Sequence, residues 1–384
     1  MKRLAWLFLC VLLAAGAAAG VLYLRVNQPY RGYQAPEQFV DIPQGSGSRV
    51  IGEHLAAGGV VRDATTFRTA LWMSGKGRHL QAGEYRFDRP MTPFEVIDKI
   101  ARGDVFVIPI TFREGLTIAE MAAIFASHGF GTADDFSKAA GDATAIHDID
   151  PNTRTLEGYL FPETYALSRH SDADHLVRLM VARFLHVWTP EMQGAADAQH
   201  LSPRQAVTLA SIVEKETGKP DERPVVAAVY VNRLRIGMAL QCDPTVIFAL
   251  ERAGRYTGNL RREDLAFDSP YNTYKYPGLP PGPIASPGRA SIEAAVHPAD
   301  VEFLYFVSRN DGSHVFARTL DEHNRNVQQY QVQYFRDLRA GKAGEAKRAG
   351  EAGRTGGAGR ARGPGQVGGV GKAAGGRPSQ RAPQ

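Results

Sequence analysis

The sequence predicts a chain of the α+β class that begins with one transmembrane helix and ends in a disordered tail. Three observations support this prediction. An uncharged run from Leu4 to Leu24 opens the chain, strand-like and helix-like patterns alternate as far as Leu338, and a Gly-, Ala- and Arg-rich stretch follows. Because 43% of the 384 residues are hydrophobic, the middle of the chain can bury a core and is too apolar to be disordered throughout.

The N-terminal run has the length of a membrane span. Its residues 4–24 would extend roughly 31 Å as a helix, about one bilayer core. Lys2 and Arg3 precede the run, so we expect residues 1–3 in the cytoplasm and the bulk of the chain outside the inner membrane. A cleaved signal peptide is the alternative. The run stays apolar beyond the small residues of Ala14 to Gly20, which favours a retained anchor followed by a stalk over residues 25–38.

Residues 39–104 are expected to form a small strand/helix lobe. A strand-like run ends at Ile42, Pro43-Gln44-Gly45 makes a turn, and a helix with apolar residues at helical spacing follows. A second helix is expected from Asp63 to about Ser74. A similar strand–turn–helix cassette returns about 70 residues later, which indicates either an internal duplication or two ordinary units that are alike by chance.

This lobe resembles a LysM module. The resemblance rests on the strand, the I-P-x-G turn at Ile42 to Gly45, the serine-capped helix, and Gly59-Val60-Val61. LysM modules bind glycans that contain N-acetylglucosamine, so the resemblance implies glycan binding. A small lobe with a purely structural role is the open alternative.

The remaining organisation comes from composition. Residues 105–338 are expected to form a larger mixed α/β domain, and residues 339–384 a disordered basic tail. The tail carries ten Lys/Arg and two Glu, so the rest of the chain has a net charge of −3 and is not expected to bind nucleic acid. Cys10 lies in the N-terminal apolar run and Cys242 lies far downstream, so we expect no disulfide between them. No metal-ligand spacing or phosphate loop is found, so we expect no metal and no cofactor.

The most informative helix is predicted after Leu201. Ser202 fits the N-cap, Pro203 the first helical position, and Gln205 completes a capping box. Glu214 and Glu216 lie at the other end and should point to nearly opposite sides. A carboxylic acid against an apolar wall keeps its neutral form, as a general acid requires. The alternative is a solvated last turn.

Two later segments combine polar and aromatic side chains. Such mixtures suit pyranose rings, which have apolar C–H faces and a hydroxyl edge, although turns and packing would explain each segment alone. The candidate substrate-binding residues are Gln241, Asp243, Thr245, Tyr271, Asn272, Thr273 and Tyr274.

Together these motifs resemble the endolytic murein transglycosylases of the YceG-like, or MltG, family. The matching order is V-E-K-E-T at Val213, V-N-R-L at Val231, I-G-M-x-L-Q-x-D-P-T at Ile236, S-P-Y-N-T-Y at Ser269, G-L-P-P-G-P-I at Gly278 and A-x-x-H-P at Ala294. Leu156 to Tyr165 and Tyr305 to Val307 also fit. The likeness covers about residues 40–330 and makes residues 105–338 the catalytic domain.

The resemblance implies a function. Glu214 matches the family's catalytic residue, and Cys242 stands where the family more often has Thr. The implied reaction cleaves the β-1,4 bond between N-acetylmuramic acid and N-acetylglucosamine in peptidoglycan and leaves a 1,6-anhydro end, with Glu214 as acid and then base. This reaction would trim or terminate nascent strands. Expected partners are glycan strands and, as further candidates, cell-wall synthases. A hydrolytic muramidase and a non-catalytic glycan-binding scaffold are the alternatives.

Overall fold

The computed structural model describes residues 2–341, which divide into two compact units. The first contains the chain up to Ile110 and the segment Ala166–Ser171, and the second contains Thr111–Tyr165 and the chain from Asp172. The sequence-based boundary at residue 105 therefore lies a few residues before the observed division. Most of the expected tail, residues 342–384, lies outside the described residues, and residues 334–341 continue a helix past the expected start of the tail.

The first unit contains helices and one antiparallel strand pair, β1 with β2. Its elements are α1 Lys2–Asn27, β1 Gln38–Ile42, α2 Ser48–Ala57, α3 Ala64–Ser74, β2 Gly83–Phe87, α4 Pro93–Ala101 and the start of β3 Ile108–Thr111. The predicted helix from Asp63 to Ser74 is confirmed, with the Asp63 carboxylate accepting the Thr66 N–H as an N-cap. The core contains Val40, Leu55, Phe67 and Tyr85, all nearly inaccessible to solvent.

Helix α1 contains the apolar run. Within the described residues, Phe8–Asn27 is the one helical segment that is long and apolar enough to cross a membrane, a property that signal sequences share. The end of α1 packs on the first unit, where Val26 is completely buried. Tyr30 then forms a backbone bridge with Met91. Residues 25–38 were expected to form a stalk. The burial of Val26 and the bridge from Tyr30 show that part of this segment packs against the rest of the first unit.

The two cassettes seen in the sequence have similar backbone conformations as well as the same residue spacing. Helix α2 at 48–57 and helix α5 at Ile118–Ser127 keep one offset of 70 residues. The turns before them contain Gly45 and Gly115, with φ values of +77° and +78°. Each first strand pairs with a later strand, β1 with β2 and β3 with β4. The inward-facing pairs are all buried: Val40/Ile110, Ile42/Phe112, Ile51/Met121 and Leu55/Phe125.

The second unit is mostly helical. Its elements are α5 Ile118–Ser127, α6 Ala133–Ala139, β4 Thr164–Leu167 (its first half), α7 Ala173–Val187, α8 Pro190–Ala198, α9 Pro203–Glu216, α10 Arg223–Arg235, α11 Asp243–Arg252, α12 Arg289–Val296, β5 Tyr305–Ser308, β6 His314–Ala317 and α13 Leu320–Val327. Short 3-10 turns cover Thr144–Ile146, Pro220–Glu222 and Arg262–Ala266, and a π-helical turn covers Gln328–Gln333.

Helix α9 is the centre of the second unit. It starts at the predicted capping box of Ser202 and Gln205, with Pro203 at its first position. Residues 206–213 are all buried because α8, α10, α11 and α12 pack around the helix. A helix that is enclosed on all sides has little freedom to move, so it holds the residues at its C-terminal end in place.

Candidate active site

Glu214 lies in the last turn of α9 and has a side chain only 6% exposed. Its two carboxylate oxygens have different partners. Oε1 accepts from Arg223 Nη2 at 3.1 Å, and Oε2 accepts from the Gly288 N–H at 3.0 Å. The expected apolar wall is therefore replaced on this side by a cation and a backbone donor. These two fixed contacts hold the carboxyl group in one orientation.

Arg223 connects Glu214 to a second acidic residue. The Arg223 side chain is 9% exposed, and the same Nη2 atom lies 3.4 Å from Glu114 Oε2. The two carboxyl groups therefore share one guanidinium nitrogen. Burial, with the nearby Glu214 charge as a second cause, raises the pKa of Glu114, and Arg223 opposes this rise.

Two glycines allow this close arrangement. Gly288 has an ordinary φ of −75°, but a Cβ there would overlap the Glu114 carboxyl group. Gly115 has a φ of +78°, which favours glycine, and its Cα faces Glu214 Cγ and Lys215 Cδ. The Glu114 side chain thus occupies space that a larger residue at position 288 would fill, whereas glycine at position 115 is favoured by its backbone conformation.

Backbone hydrogen bonds fix the two loops that carry these glycines. Gly115 N donates to Ser286 O, and Ser286 N donates to Leu116 O, both at 2.8 Å. Lys215 Nζ donates to Gly115 O at 3.1 Å. The loop before α5 and the loop before α12 are therefore joined to each other and to the end of α9.

Glu216 lies in different surroundings. Its Oε1 accepts from the Tyr230 hydroxyl at 2.8 Å and from the Cys242 thiol at 3.1 Å. Tyr230 and Cys242 are 1% and 0% exposed. Burial, followed by the Glu216 charge, raises the pKa of the Cys242 thiol well above its usual range, which favours the protonated thiol. Glu216 thus anchors the loop at Cys242 and makes different contacts from Glu214.

The two candidate binding segments are brought together, but three of their residues are buried. Thr245, Asn272 and Thr273 are at most 1% exposed. Asn272 donates to the carbonyls of Leu265 and Phe267 at 2.9 and 2.7 Å, and Thr273 Oγ1 contacts Thr245 Oγ1 at 2.9 Å. These three residues hold the loops together, which corrects the expectation that they line a cleft. Short polar side chains serve turn formation as readily as ligand binding, and their types alone could not separate the two roles.

The other four candidates keep some exposure. Gln241 is exposed, with a left-handed φ of +49°. Asp243 and Tyr274 are half-buried and hydrogen-bonded to each other through the tyrosine hydroxyl. Tyr271 is half-buried, and its ring packs on Phe248 with centroids 5.0 Å apart. These side chains remain candidates for contact with a substrate.

Glu157, in the segment Leu156 to Tyr165, is a further acidic residue, with a half-buried side chain. Its carboxyl group accepts the Ile118 N–H at 3.2 and 3.4 Å. Burial raises the pKa of Glu157 to about 8, with the Ile118 hydrogen bond opposing the rise. The carboxyl group therefore holds a proton near neutral pH at the start of α5.

Sequence reasoning missed Arg223, Glu114 and Gly288 as neighbours of Glu214. Glu114 belongs to the Arg113-Glu114-Gly115 turn of the second cassette, where a charged residue before a turn glycine was a usable signal. Arg223 starts the next helix, nine residues after Glu214, and nothing in the local pattern indicates that its side chain turns back. Within residues 2–341, no group of three or more His, Cys, Asp or Glu is arranged to hold a metal ion.

Comparison with known proteins identifies the family to which this chain is similar. A family model described as YceG-like matches residues 40–329. An endolytic murein transglycosylase of Bacillus subtilis (strain 168) is 32% identical over 310 residues, which is 76% of this chain and 84% of that protein. The protein of the same name from Streptococcus pneumoniae serotype 2 is 28% identical over 85% of this chain, and the match spans 64% of that protein's length.

A solved structure is also similar. The crystal structure of a YceG-like protein from Listeria monocytogenes matches with a TM-score of 0.52 and 30% identity, over 76% of this chain and 98% of that one. The family match includes Glu114, Glu214, Arg223 and Gly288 and covers well over half of the chain. The chain therefore belongs to the YceG-like family, and the named relatives compared above are endolytic murein transglycosylases.

Proposed function

We propose that this chain is an endolytic murein transglycosylase that cleaves the β-1,4 bond between N-acetylmuramic acid and N-acetylglucosamine and leaves a 1,6-anhydro end. The observation that carries the proposal is the setting of Glu214. Its carboxyl group is almost buried at the end of a rigid helix and is oriented by Arg223 and Gly288 N–H. The names of the relatives give the substrate class, peptidoglycan.

In the first step, Glu214 acts as the general acid. The protonated carboxyl group gives its proton to the glycosidic oxygen as the bond from that oxygen to C1 breaks, and positive charge develops on the muramoyl ring. The departing glycan segment takes that proton and leaves with a free hydroxyl group. Glu214 is now a carboxylate, and Arg223 and the Gly288 N–H stabilise its new negative charge.

In the second step, Glu214 acts as the base. The muramoyl 6-hydroxyl group attacks C1, an O6–C1 bond forms, and the hydroxyl proton returns to Glu214. Because the nucleophile belongs to the substrate, no water is consumed and no protein nucleophile is needed. One carboxyl group can therefore complete the cycle and ends it in the state in which it began.

The test compares Glu214→Gln with Glu216→Gln on purified glycan strands. Glutamine keeps the shape of the glutamate side chain but cannot donate the required proton. We expect Glu214→Gln to lose at least about 10²-fold in anhydro-product formation, measured by mass spectrometry, and Glu216→Gln to lose much less. Near-parental turnover by Glu214→Gln would contradict the assignment and favour a non-catalytic glycan-binding scaffold.

A hydrolytic muramidase is the second candidate, and Glu114 is the observation that favours it. Hydrolysis by glycosidases uses two carboxyl groups, and Glu114 and Glu214 both contact Arg223 Nη2. The products separate the two reactions, since hydrolysis gives reducing muramic acid ends and incorporates one oxygen atom from water. Labelled water that enters the new ends would establish hydrolysis, and unlabelled anhydro ends would exclude it.

We further propose that α1 is a retained anchor that places the catalytic unit outside the inner membrane. The apolar segment Phe8–Asn27 supports this, together with Lys2 and Arg3 before it. The apolar residues after Ala14–Gly20 also favour retention, because cleavage within that segment would leave a short apolar segment, Val21 to Leu24, at the new N-terminus. Cell-wall synthases remain candidate partners, and the reason is only that they make the peptidoglycan that this chain is proposed to cleave.

For the first unit we propose the glycan-binding role implied by its LysM-like segment. The expected strand, turn and helix are present at β1, Gly45 and α2. Trp72 on α3 is 83% exposed and offers an aromatic face for a pyranose ring. Retention of the Glu214→Gln chain on isolated sacculi should weaken when Trp72→Ala is added, and unchanged retention would remove this support.

A further inference from the structure

We propose that a cavity at the N-terminal end of α9 binds the peptide branch that peptidoglycan carries on its muramoyl residues. The inference rests on the proposed function and adds a subsite to it, for a part of the substrate that the cleavage step does not use. The ligand class is a short peptide with small apolar groups and at least one free carboxylate.

The cavity has the size and the walls of a small-ligand site. Its volume is about 560 Å³, and ligand sites in proteins commonly measure about 300–1,000 Å³. It lies within the second unit, between the start of α9, the end of α10 and residues 278–281. Its apolar lining consists of Leu201, Val231, Leu234, Leu279 and Pro280. These walls suit the methyl groups and other small apolar groups of a ligand.

Two polar atoms of residues that line the cavity find no hydrogen-bond partner within residues 2–341. Thr208 is 1% exposed, and its buried Oγ1 atom is unpaired. The Nη2 atom of Arg204 is also buried and unpaired, although Nε of the same side chain donates to Asp150 at 2.9 and 3.0 Å. A buried polar atom without a partner costs stability, so a group bound from outside the chain is expected to complete it. A hydroxyl group and an N–H group together match the backbone of a peptide.

The rim of the cavity carries positive charge. Arg235, the last residue of α10, is exposed and forms no ion pair with the other described residues. His200 is also exposed and lies on the rim. Of the described residues that line the cavity, none is acidic. Asp150 is nearby, but its side chain is 4% exposed and its carboxylate already accepts from Arg204. The rim therefore favours a ligand with a carboxylate over one with an amine.

The position of the cavity relative to Glu214 favours the peptide branch of the same substrate. Thr208 precedes Glu214 by six residues on α9, about 9 Å along the helix axis. One loop also joins the two places, since residues 278–281 line the cavity and the Gly288 N–H donates to Glu214. Three extended peptide residues span roughly 10 Å. A branch that starts at the muramoyl residue beside Glu214 therefore has the length to reach the cavity.

Isothermal titration calorimetry of the full-length Glu214→Gln chain in detergent tests binding without turnover. The probes are N-acetylglucosaminyl-N-acetylmuramoyl-tetrapeptide, the same disaccharide without its peptide, and the free tetrapeptide. We expect the disaccharide with the peptide to bind at least about tenfold more tightly than the one without it. The free tetrapeptide should also bind, because the cavity does not require the sugars.

Two variants, each added to Glu214→Gln, test the groups that carry the inference. Thr208→Val keeps the shape of the side chain and removes only an unpaired hydroxyl, so the melting curve should be little changed. It should weaken binding of the disaccharide with the peptide by about threefold to tenfold, the effect of one neutral hydrogen bond. Arg235→Gln should weaken it by about twofold to fivefold and reduce its salt dependence. The matched control is Arg178→Gln, which removes an exposed arginine of α7 that does not line the cavity and should leave binding unchanged.

The outcomes separate this inference from the proposed function. A parent chain that forms no anhydro product from glycan strands with or without peptides would contradict the proposed function, while peptide binding that Thr208→Val weakens would still support the subsite. An active parent whose Glu214→Gln variant binds both disaccharides equally would overturn the subsite. Peptide binding that neither Thr208→Val nor Arg235→Gln changes would also overturn it, since the cavity would then hold only water.

Discussion

Glu216 provides the most direct test of how the end of α9 is held. Replacing Glu216 with Ala removes two hydrogen bonds to one oxygen, from the Tyr230 hydroxyl and the Cys242 thiol. A hydrogen bond to a charged group contributes about 1.5–3 kcal/mol, and a thiol donates more weakly than a hydroxyl. Tyr230 is also left with a buried hydroxyl group that has lost this acceptor. We therefore expect the free energy of unfolding to fall by roughly 3 kcal/mol.

Urea unfolding of the parent, Glu216→Ala, Tyr230→Phe and the double variant measures this contribution. Tyr230→Phe removes one donor and should cost about 1.5 kcal/mol or more. The double variant should cost less than the sum of the single ones because both remove the same contact. Glu214→Ala provides the comparison at the neighbouring carboxylate. A Glu216→Ala variant within about 0.5 kcal/mol of the parent would refute the anchoring role.

Three further expectations follow from other contacts. Glu157 has a pKa of about 8 in the fold against an ordinary value of 4.5. Its contribution to the stability of the folded state is therefore fully present below about pH 4.5 and is lost as the pH rises through 8. Glu157→Gln should remove about 2–4 kcal/mol of the difference in the free energy of unfolding between pH 5 and pH 8. The Asp150 side chain is 4% exposed and accepts hydrogen bonds from Arg204 at 2.9 and 3.0 Å and from Tyr159 at 2.7 Å. Asp150→Asn should therefore lower the free energy of unfolding by about 3–5 kcal/mol, and a loss below about 1 kcal/mol would contradict this. Protease added to spheroplasts should remove the bulk of the chain and leave a small membrane stub, and full protection would contradict the outward topology.

Local patterns predicted the elements of the fold well. The capping box at Ser202, the N-cap at Asp63 and the offset between the two cassettes each depend on residues close together in sequence, and the structure has all three. The same applies to Glu214 and Glu216, whose separate surroundings follow from their positions on one helix. Local rules of capping and periodicity determine these features before tertiary packing is known.

The neighbours of Glu214 could not be predicted in this way. Glu114 lies one hundred residues earlier and Gly288 seventy-four residues later, and their approach depends on how the loops before α5 and α12 join. Burial was also invisible in the sequence. Asn272 and Gln241 looked equally suited to bind a sugar, yet the first is fully buried and the second is exposed.

The repeated strand–turn–helix cassette has an acidic residue before its turn glycine in one copy only. Glu114 in the second copy corresponds to Gln44 in the first, directly before the matching glycines at 45 and 115. Glutamine is the uncharged counterpart of glutamate, so the chain itself contains both versions of this turn on one backbone. The fold of the cassette therefore does not require the carboxylate. Because the turn depends on its glycine, the position before that glycine can hold either a neutral or a charged side chain.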